Sequence, residues 1–446
     1  MRVLHLPYTY YPDPVGGTEV YVAGLTRELG RVGVESIIAA PGEAATYTWE
    51  GVPVYRLPTE PVSGAAALYD EGDPLTALAF GRVLDAEQPD VVHLHAHTRA
   101  VSLRLVREAK RRGLPVVLTY HTPTVTCARG TLLRWGTTVC DGALDARRCT
   151  ACVLQAKGMP RPVSAALAAL PSAGMSRLPV RGSAATALRM RGFVEQAHAH
   201  THSLLREVDR VVAVCAWVRD LLLHLGIAPE RITLSRQGLS EHAAPTSGAP
   251  RRREGEPLRL AFLGRLDASK GLDVVLQALQ RLPEAPLVLD AYVVRQGGGE
   301  GYVRKVERLV AADPRVRLLP AVPAAEVVPM LGGYDALVVP SQALESGPLV
   351  VLEALAAGTP VLGSDLGGIA ELVTEGVDGL LIPASDPRAW AARIQRMLGE
   401  ALLLERLRQG IRPPRTMGTA AAEMVSLYGE VCARIVPVPA EAHAPL

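Results

Sequence analysis

Glu345 and Glu353 stand at E-x7-E spacing behind a short apolar run, Ala336 to Val339, that reads as a buried strand. Between them Ser346-Gly347-Pro348 opens a helix, because proline suits the first helical position, where its missing N–H would be unpaired anyway. The amides of Leu349 and Val350 are then left pointing at whatever binds the helix start, which makes an anion site. Carboxylates flanking such a site are costly unless they bind something else, and sugar hydroxyls suit them. The matching positive charge follows another apolar run, Leu258 to Leu263, in Gly264-Arg265-Leu266-Asp267-Ala268-Ser269-Lys270-Gly271. Arg265 can clamp phosphate oxygens in a fork, Lys270 adds a compact charge, and the flanking glycines permit tight turns.

Further candidates lie in the first half of the chain. Gly16-Gly17 falls between the first strand and a helix over 18–31, where backbone amides can approach a phosphate or an acceptor; Glu19 either joins that site or caps the helix. His121 ends the run Pro115 to Tyr120, and an imidazole there either hydrogen-bonds a hydroxyl and stabilises developing charge or is a satisfied strand-end group. His93, His95 and His97 alternate along one strand, which fits a sheet interior or rim better than a metal triad. No G-x-G-x-x-G follows the first strand, so pyridine-dinucleotide binding is disfavoured.

Cys127, Cys140, Cys149 and Cys152 form C-x12-C-x8-C-x2-C, with Gly130, Gly136 and Gly142 letting the chain fold back. Four thiolates complete a closed tetrahedral zinc site, and an iron–sulfur cluster takes the same ligands; free thiols and a redox pair are the alternatives. Cys215 and Cys432 stand alone and read as buried and inert.

The elements that must position these groups follow from length and pattern. A chain of 446 residues, 48% hydrophobic and 21% charged, suits two soluble α/β domains, and a net charge of +2 disfavours nucleic acid as a partner. No apolar run reaches about 18 residues and the start reads as a core strand, so the expectation is a cytoplasmic chain, peripheral at most to the inner face of a membrane. Asparagine is absent, which excludes N-glycosylation.

Apolar runs at Val3 to Leu6, Glu35 to Ala39, Asp90 to Leu94 and Pro115 to Tyr120 alternate with helix-period segments, the signature of a parallel sheet covered on both faces. The pattern restarts after the Pro/Gly/Arg-rich stretch 243–257, with runs at Leu258 to Leu263, Leu287 to Tyr292, Val316 to Leu319, Ala336 to Val339 and Pro360 to Gly363. The expected organisation is a Rossmann-like domain over 1–242, a linker over 243–257, a second such domain over 258–418, and a helix with a tail over 419–446 that packs back on the first domain. Segment 158–202 reads as inserted helices whose Arg177, Arg181, Arg189 and Arg191 face either anionic lipid or plain solvent.

Taken in order, V-G-G-T-E, G-R-L-D-A-S-K-G, E-x7-E and G-T-P-V-L-G-S-D-L-G-G-I-A-E-L-V resemble the retaining glycosyltransferases of family 4, in a subgroup carrying a four-cysteine insertion. The resemblance implies the GT-B fold, two facing Rossmann-like domains with a cleft between them, and transfer from a nucleotide diphosphate sugar to an acceptor glycan or lipid. By it, Arg265, Lys270 and the amides near Gly347, Leu349 and Val350 hold the diphosphate and Glu353 binds the ribose. Glu345 contacts the donor sugar and His121 approaches it. No metal is needed for catalysis, and Glu345→Ala or Lys270→Ala should abolish most transfer with the fold intact. Ser346-Gly347-Pro348 departs from the more frequent P-F-G, and Pro320 stands near the base pocket where a glycine is usual, which leaves UDP and GDP both open. A nucleotide-sugar epimerase on the same fold and a non-catalytic assembly protein are the rival readings.

Overall fold

The computed structural model describes residues 1–13, 16–173, 182–240, 255–295, 299–400 and 402–433. Its first sheet begins with β1 (Arg2–Leu6), β2 (Glu35–Pro41), β3 (Ala45–Trp49), β4 (Val52–Leu57), β5 (Val91–Leu94) and β6 (Val116–Tyr120). A small hairpin, β7 (Leu133–Arg134) with β8 (Thr138–Val139), stands apart, and β9 (Arg210–Ala213) and β10 (Ile232–Leu234) complete the sheet in the order β10-β9-β6-β5-β1-β2-β4-β3. Only the β3–β4 pair is antiparallel. Strands β5, β6 and β9 are buried along their whole length, as helices on both faces require.

The second sheet is parallel throughout: β11 (Leu258–Arg265), β12 (Leu287–Val294), β13 (Val316–Pro320), β14 (Ala336–Val339), β15 (Val361–Ser364) and β16 (Gly379–Ile382), in the order β13-β12-β11-β14-β15-β16. Sequence pattern alone misses β3, β4, β9, β10 and β16. Strand β3 carries mostly exposed, polar-alternating side chains at the sheet edge, and β10, of three residues, is too short to build a signal.

The final helix, Met417–Ala433, starts two residues before the expected 419 and joins the core of the first lobe. Its Met424, Leu427 and Tyr428 pack with Tyr21, Leu25 and Leu29 of the helix Gly17–Arg31 and with Val3 and Val91 of the sheet. A bridge between Leu239 and Thr416 and a 2.7 Å bond from Arg210 Nη2 to Glu430 tie the returning chain down. Most of the expected linker, residues 243–254 of 243–257, lies outside the described residues.

The inserted segment forms the helices Arg161–Ala169 and Gly182–Glu207, which pack with the preceding helix Ala146–Ala156 around a small core of Val153, Leu154, Met190 and Val194. The Arg191 guanidinium there bonds Glu195 at 2.9 Å and the Leu170 carbonyl at 3.2 Å. Arg177 and Arg181 lie outside the described residues. Among the described residues, no helix is long and apolar enough to cross a membrane.

Candidate active site

The loop after β11 folds onto the chain after β14. Asp267 accepts the Ser269 amide at 2.8 Å, turning the chain through Ala268–Lys270, and Gly271 takes a left-handed φ of 69°. A side chain at Gly271 would also meet the Pro340 carbonyl at 2.0 Å, so only glycine lets the loop close on the β14 end. The Gln342 amide then donates to the Ser269 carbonyl at 2.7 Å.

This closure brings Lys270 to Glu345. The Lys270 ammonium donates to Glu345 Oε1 at 2.6 Å, and Ser341 Oγ donates to the same oxygen at 2.8 Å. Burial raises the Glu345 pKa, but attraction to Lys270, the bonds from Lys270 and Ser341, and the nearby Arg265 charge together bring it below the usual carboxylate value. Lys270 and Glu345 therefore meet, with Arg265 near enough for its charge to act on the carboxylate. The ammonium faces the carboxylate and keeps two further N–H donors.

The first lobe reaches the same spot. Trp217 Nε1 donates to the Glu345 carbonyl at 2.8 Å, beside the Gly368 amide of the second lobe that donates to it at 2.7 Å, and Ser346 Oγ donates to the His121 carbonyl. Glu371 caps the helix Ala216–His224 across the seam, accepting the Ala216 and Trp217 amides at 2.8 and 2.9 Å. A methyl at Gly17 would lie 3.9 Å from Leu349, so the early glycine pair faces the helix that begins beside Glu345.

That helix runs Leu349–Ala356, with Pro348 in the N-cap position (φ −70°, ψ 110°) and not in the first turn. Proline fits there because its extended ψ directs its carbonyl to the Val351 amide, 3.0 Å away. The amides of Leu349 and Val350 have no intrahelical acceptor at such a start. Glu353, one turn inside, is pushed up to about pKa 7 by burial. Glu19 is a capping group: it accepts the Gly16 amide at 2.9 Å and is 4% exposed.

His121 is buried and held neutral, its pKa lowered to about 3 by desolvation. Both ring nitrogens have partners: Gln237 Nε2 at 3.2 Å from Nδ1 and His95 Nδ1 at 3.2 Å from Nε2. The ladder continues from His95 Nε2 to His5 Nδ1 at 3.0 Å. His93 lies beside it, bonded to Tyr428 and Thr119 at 2.6 and 2.7 Å. His5, His93 and His95 have ligand atoms within 4.8 Å of one another, but a metal needs a lone pair from each, and both nitrogens of His93 and of His95 are engaged. These histidines build an interior network.

Cys127, Cys140, Cys149 and Cys152 occupy one module, with β7 and β8 between the first two and the last two on the helix Ala146–Ala156. Burial, then the neighbouring Cys127 and Cys140 thiols, push Cys149 up to about 12, and Arg129 and the Trp135 amide donate to Cys152 Sγ at 3.5 and 3.4 Å. The four thiols are not, among the described residues, a set whose sulfurs lie within 4.8 Å of one another.

Trp217, Gln237 and His5 carry no motif signal, and Glu371 lies within the G-G-I-A-E-L-V run without a role that the run itself announces. The clue available to them is topological: Trp217 and Gln237 follow β9 and β10, whose carboxyl ends open on the crevice of a parallel sheet.

Residues 16–238 match the family described as Glycosyl transferase 4-like domain, and residues 247–412 the family described as Glycosyl transferases group 1. The chain is 34% identical over 253 residues to the D-inositol 3-phosphate glycosyltransferase of Thermobispora bispora, covering 52% of this chain and 58% of that protein. It is 33% identical over 236 residues to the enzyme of the same name from Corynebacterium glutamicum, covering 48% and 56%. The matches thus span a little over half the length of these curated relatives. Among solved structures, HepE of Anabaena in complex with UDP and glucose superposes with a TM-score of 0.63 at 16% identity, covering 96% of this chain and 99% of that one. Sucrose-phosphate synthase from Thermosynechococcus elongatus gives 0.66 at 19% identity, covering 97% and 100%. At such identities the likeness establishes the architecture, GT-B.

Proposed function

Because this chain belongs to the glycosyl transferase 4-like family, whose domain spans half of it, we propose that it is a retaining glycosyltransferase that moves a sugar from a nucleotide diphosphate to an acceptor hydroxyl. The observation that carries the reading is the convergence of Arg265, Lys270, Glu345 and the Leu349 helix start at a seam faced by Gly17. A diphosphate leaving there gathers charge as the glycosidic bond breaks, and the ammonium, guanidinium and first-turn amides stabilise that charge more than the ground state. No metal is assigned to this step. Glu345 orients the sugar, and Glu353 takes the ribose hydroxyls.

The neighbour solved with UDP and glucose favours a UDP-linked donor, and the relatives' name favours a phosphorylated polyol as acceptor on the way to a glycoconjugate or polysaccharide. The test is thermal unfolding with UDP, GDP, ADP and their sugar conjugates, since a ligand of the native state raises Tm. One nucleotide series should raise Tm, and its sugar conjugate should then be consumed with D-inositol 3-phosphate or a glycan present. Isomerisation of the donor without acceptor would favour an epimerase; no shift with any nucleotide would sink the transferase.

Glu353 gives that experiment a pH signature. Its carboxyl is raised to about 7, so the unligated fold, which holds a proton the unfolded chain has released, loses stability as pH rises from the ordinary carboxylate range through 7. Ribose hydroxyls favour the ionised form, so nucleotide affinity should rise about tenfold between pH 6 and 8. Glu353→Gln should flatten the profile; an unchanged profile would remove Glu353 from the site.

We also propose a structural metal, zinc or an iron–sulfur cluster, on Cys127, Cys140, Cys149 and Cys152, outside the transfer chemistry. The shared module and the two N–H groups aimed at Cys152 Sγ suit a thiolate set. Elemental analysis of the purified protein should find one zinc or iron centre per chain, lost in Cys149→Ser; a metal-free protein of full stability would exclude it.

A further inference from the structure

The histidine ladder ends at both extremities on an unpartnered atom. At the interior end this is His5 Nε2; at the seam end it is Gln237 Oε1, on a side chain 7% exposed. With Gln237 Nε2 donating to His121 Nδ1, His121 carries its proton on Nε2 and donates to His95, which in turn donates to His5. One amide thus sets the tautomer of three neutral imidazoles. The ladder does not lead protons out, because His5 Nε2 meets no acceptor and desolvation lowers the pKa values of all three rings.

The open oxygen of Gln237 faces the transfer loop. A methyl built on Gly347 would stand 3.1 Å from Oε1, so this loop position must lack a side chain for the oxygen to look out. Gln237 lines a cavity of about 10 Å³ at the seam with Ser346, Gly347, Gly368 and Glu371. Such a volume holds a single oxygen atom, a water or a hydroxyl. A buried carbonyl oxygen without a donor is costly, and this one lies against Gly347, two residues along the chain from Glu345.

We propose that Gln237 is a sugar-binding residue: its amide oxygen accepts a hydrogen bond from one hydroxyl of the transferred sugar while its N–H orients His121. This rests on the transferase reading above. That reading fails when no nucleotide binds; the role of Gln237 fails separately, when nucleotide binds but the sugar increment does not depend on it.

The measurement is calorimetric affinity for UDP against UDP-glucose and for GDP against GDP-mannose, in the unaltered protein and in Gln237→Met, which fills similar space without either polar group. In Gln237→Met the nucleotide alone should bind within about twofold of the unaltered protein, whereas the sugar conjugate should lose about tenfold. Gln237→Glu, which keeps an acceptor oxygen, should restore most of the sugar increment, and it carries the test if the methionine variant fails to fold. Equal losses for nucleotide and conjugate, or an undiminished increment in Gln237→Met, would overturn the proposal and leave the oxygen to an ordered water. Absence of nucleotide binding in the unaltered protein would overturn it together with the transferase reading.

Discussion

Lys270→Ala should lower kcat/KM for transfer by roughly three orders of magnitude, the cost of removing a preorganised charge from a developing anion. The structure adds a consequence that the motif does not carry. Lys270 and Glu345 are 24% and 19% exposed and joined at 2.6 Å, so removing the ammonium leaves a largely buried carboxylate with the Ser341 hydroxyl and the more distant charge of Arg265. The fold should therefore lose about 3 kcal/mol of stability. Glu345→Ala should behave alike by stranding the ammonium. Lys270→Met with Glu345→Gln should recover much of the stability of either single variant without recovering transfer. Urea unfolding of the four proteins beside a transfer assay checks this; a Lys270→Ala protein of full stability and full activity would dissolve the site.

A second large effect concerns acid. His5, His93, His95 and His121 are buried and neutral, with pKa values lowered by desolvation, to about 3 for His5 and His121. The unfolded chain binds protons on these rings near pH 6.5, while the folded chain refuses them until far lower pH. Stability is thus fully present above pH 6.5 and lost as pH falls towards the folded values. Each ring contributes about 1.4 kcal/mol per pH unit, so the four together give a slope of about 5 kcal/mol per unit below 6.5. Glu353 opposes this with a single proton of the other sign. Denaturant midpoints at pH 7, 6 and 5 should fall steeply, and His5→Leu should make the slope shallower by about one proton. A flat profile between pH 7 and 5 would mean that the rings are solvated.

Much of the site was legible in the residues because its chemistry is local. Ser346, Gly347, Pro348 and Leu349 announce a helix start whatever surrounds them, and Asp267, Ser269, Lys270 and Gly271 specify a turn through one side-chain bond and one left-handed glycine. Glu19 was ambiguous, since the same carboxylate serves a cap or a ligand; its contact with the Gly16 amide decides for the cap. Gln237 could not be found at all, because a glutamine after a three-residue strand has no pattern of its own.

The sequence by itself determined the two parallel sheets, through runs of buried β-branched residues alternating with helices, and it determined which residue types could hold a diphosphate. Only the tertiary structure decided that Lys270 meets Glu345, that Trp217 and Glu371 cross the seam, and that His5, His95, His121 and Gln237 form one ladder. The reason is separation along the chain. Helix starts and turns are set by neighbours a few residues apart, whereas Gln237 reaches His121 across 116 residues and Ser346 reaches it across 225. Such contacts exist only once the strand order β9-β6-β5-β1 has placed their strand ends side by side.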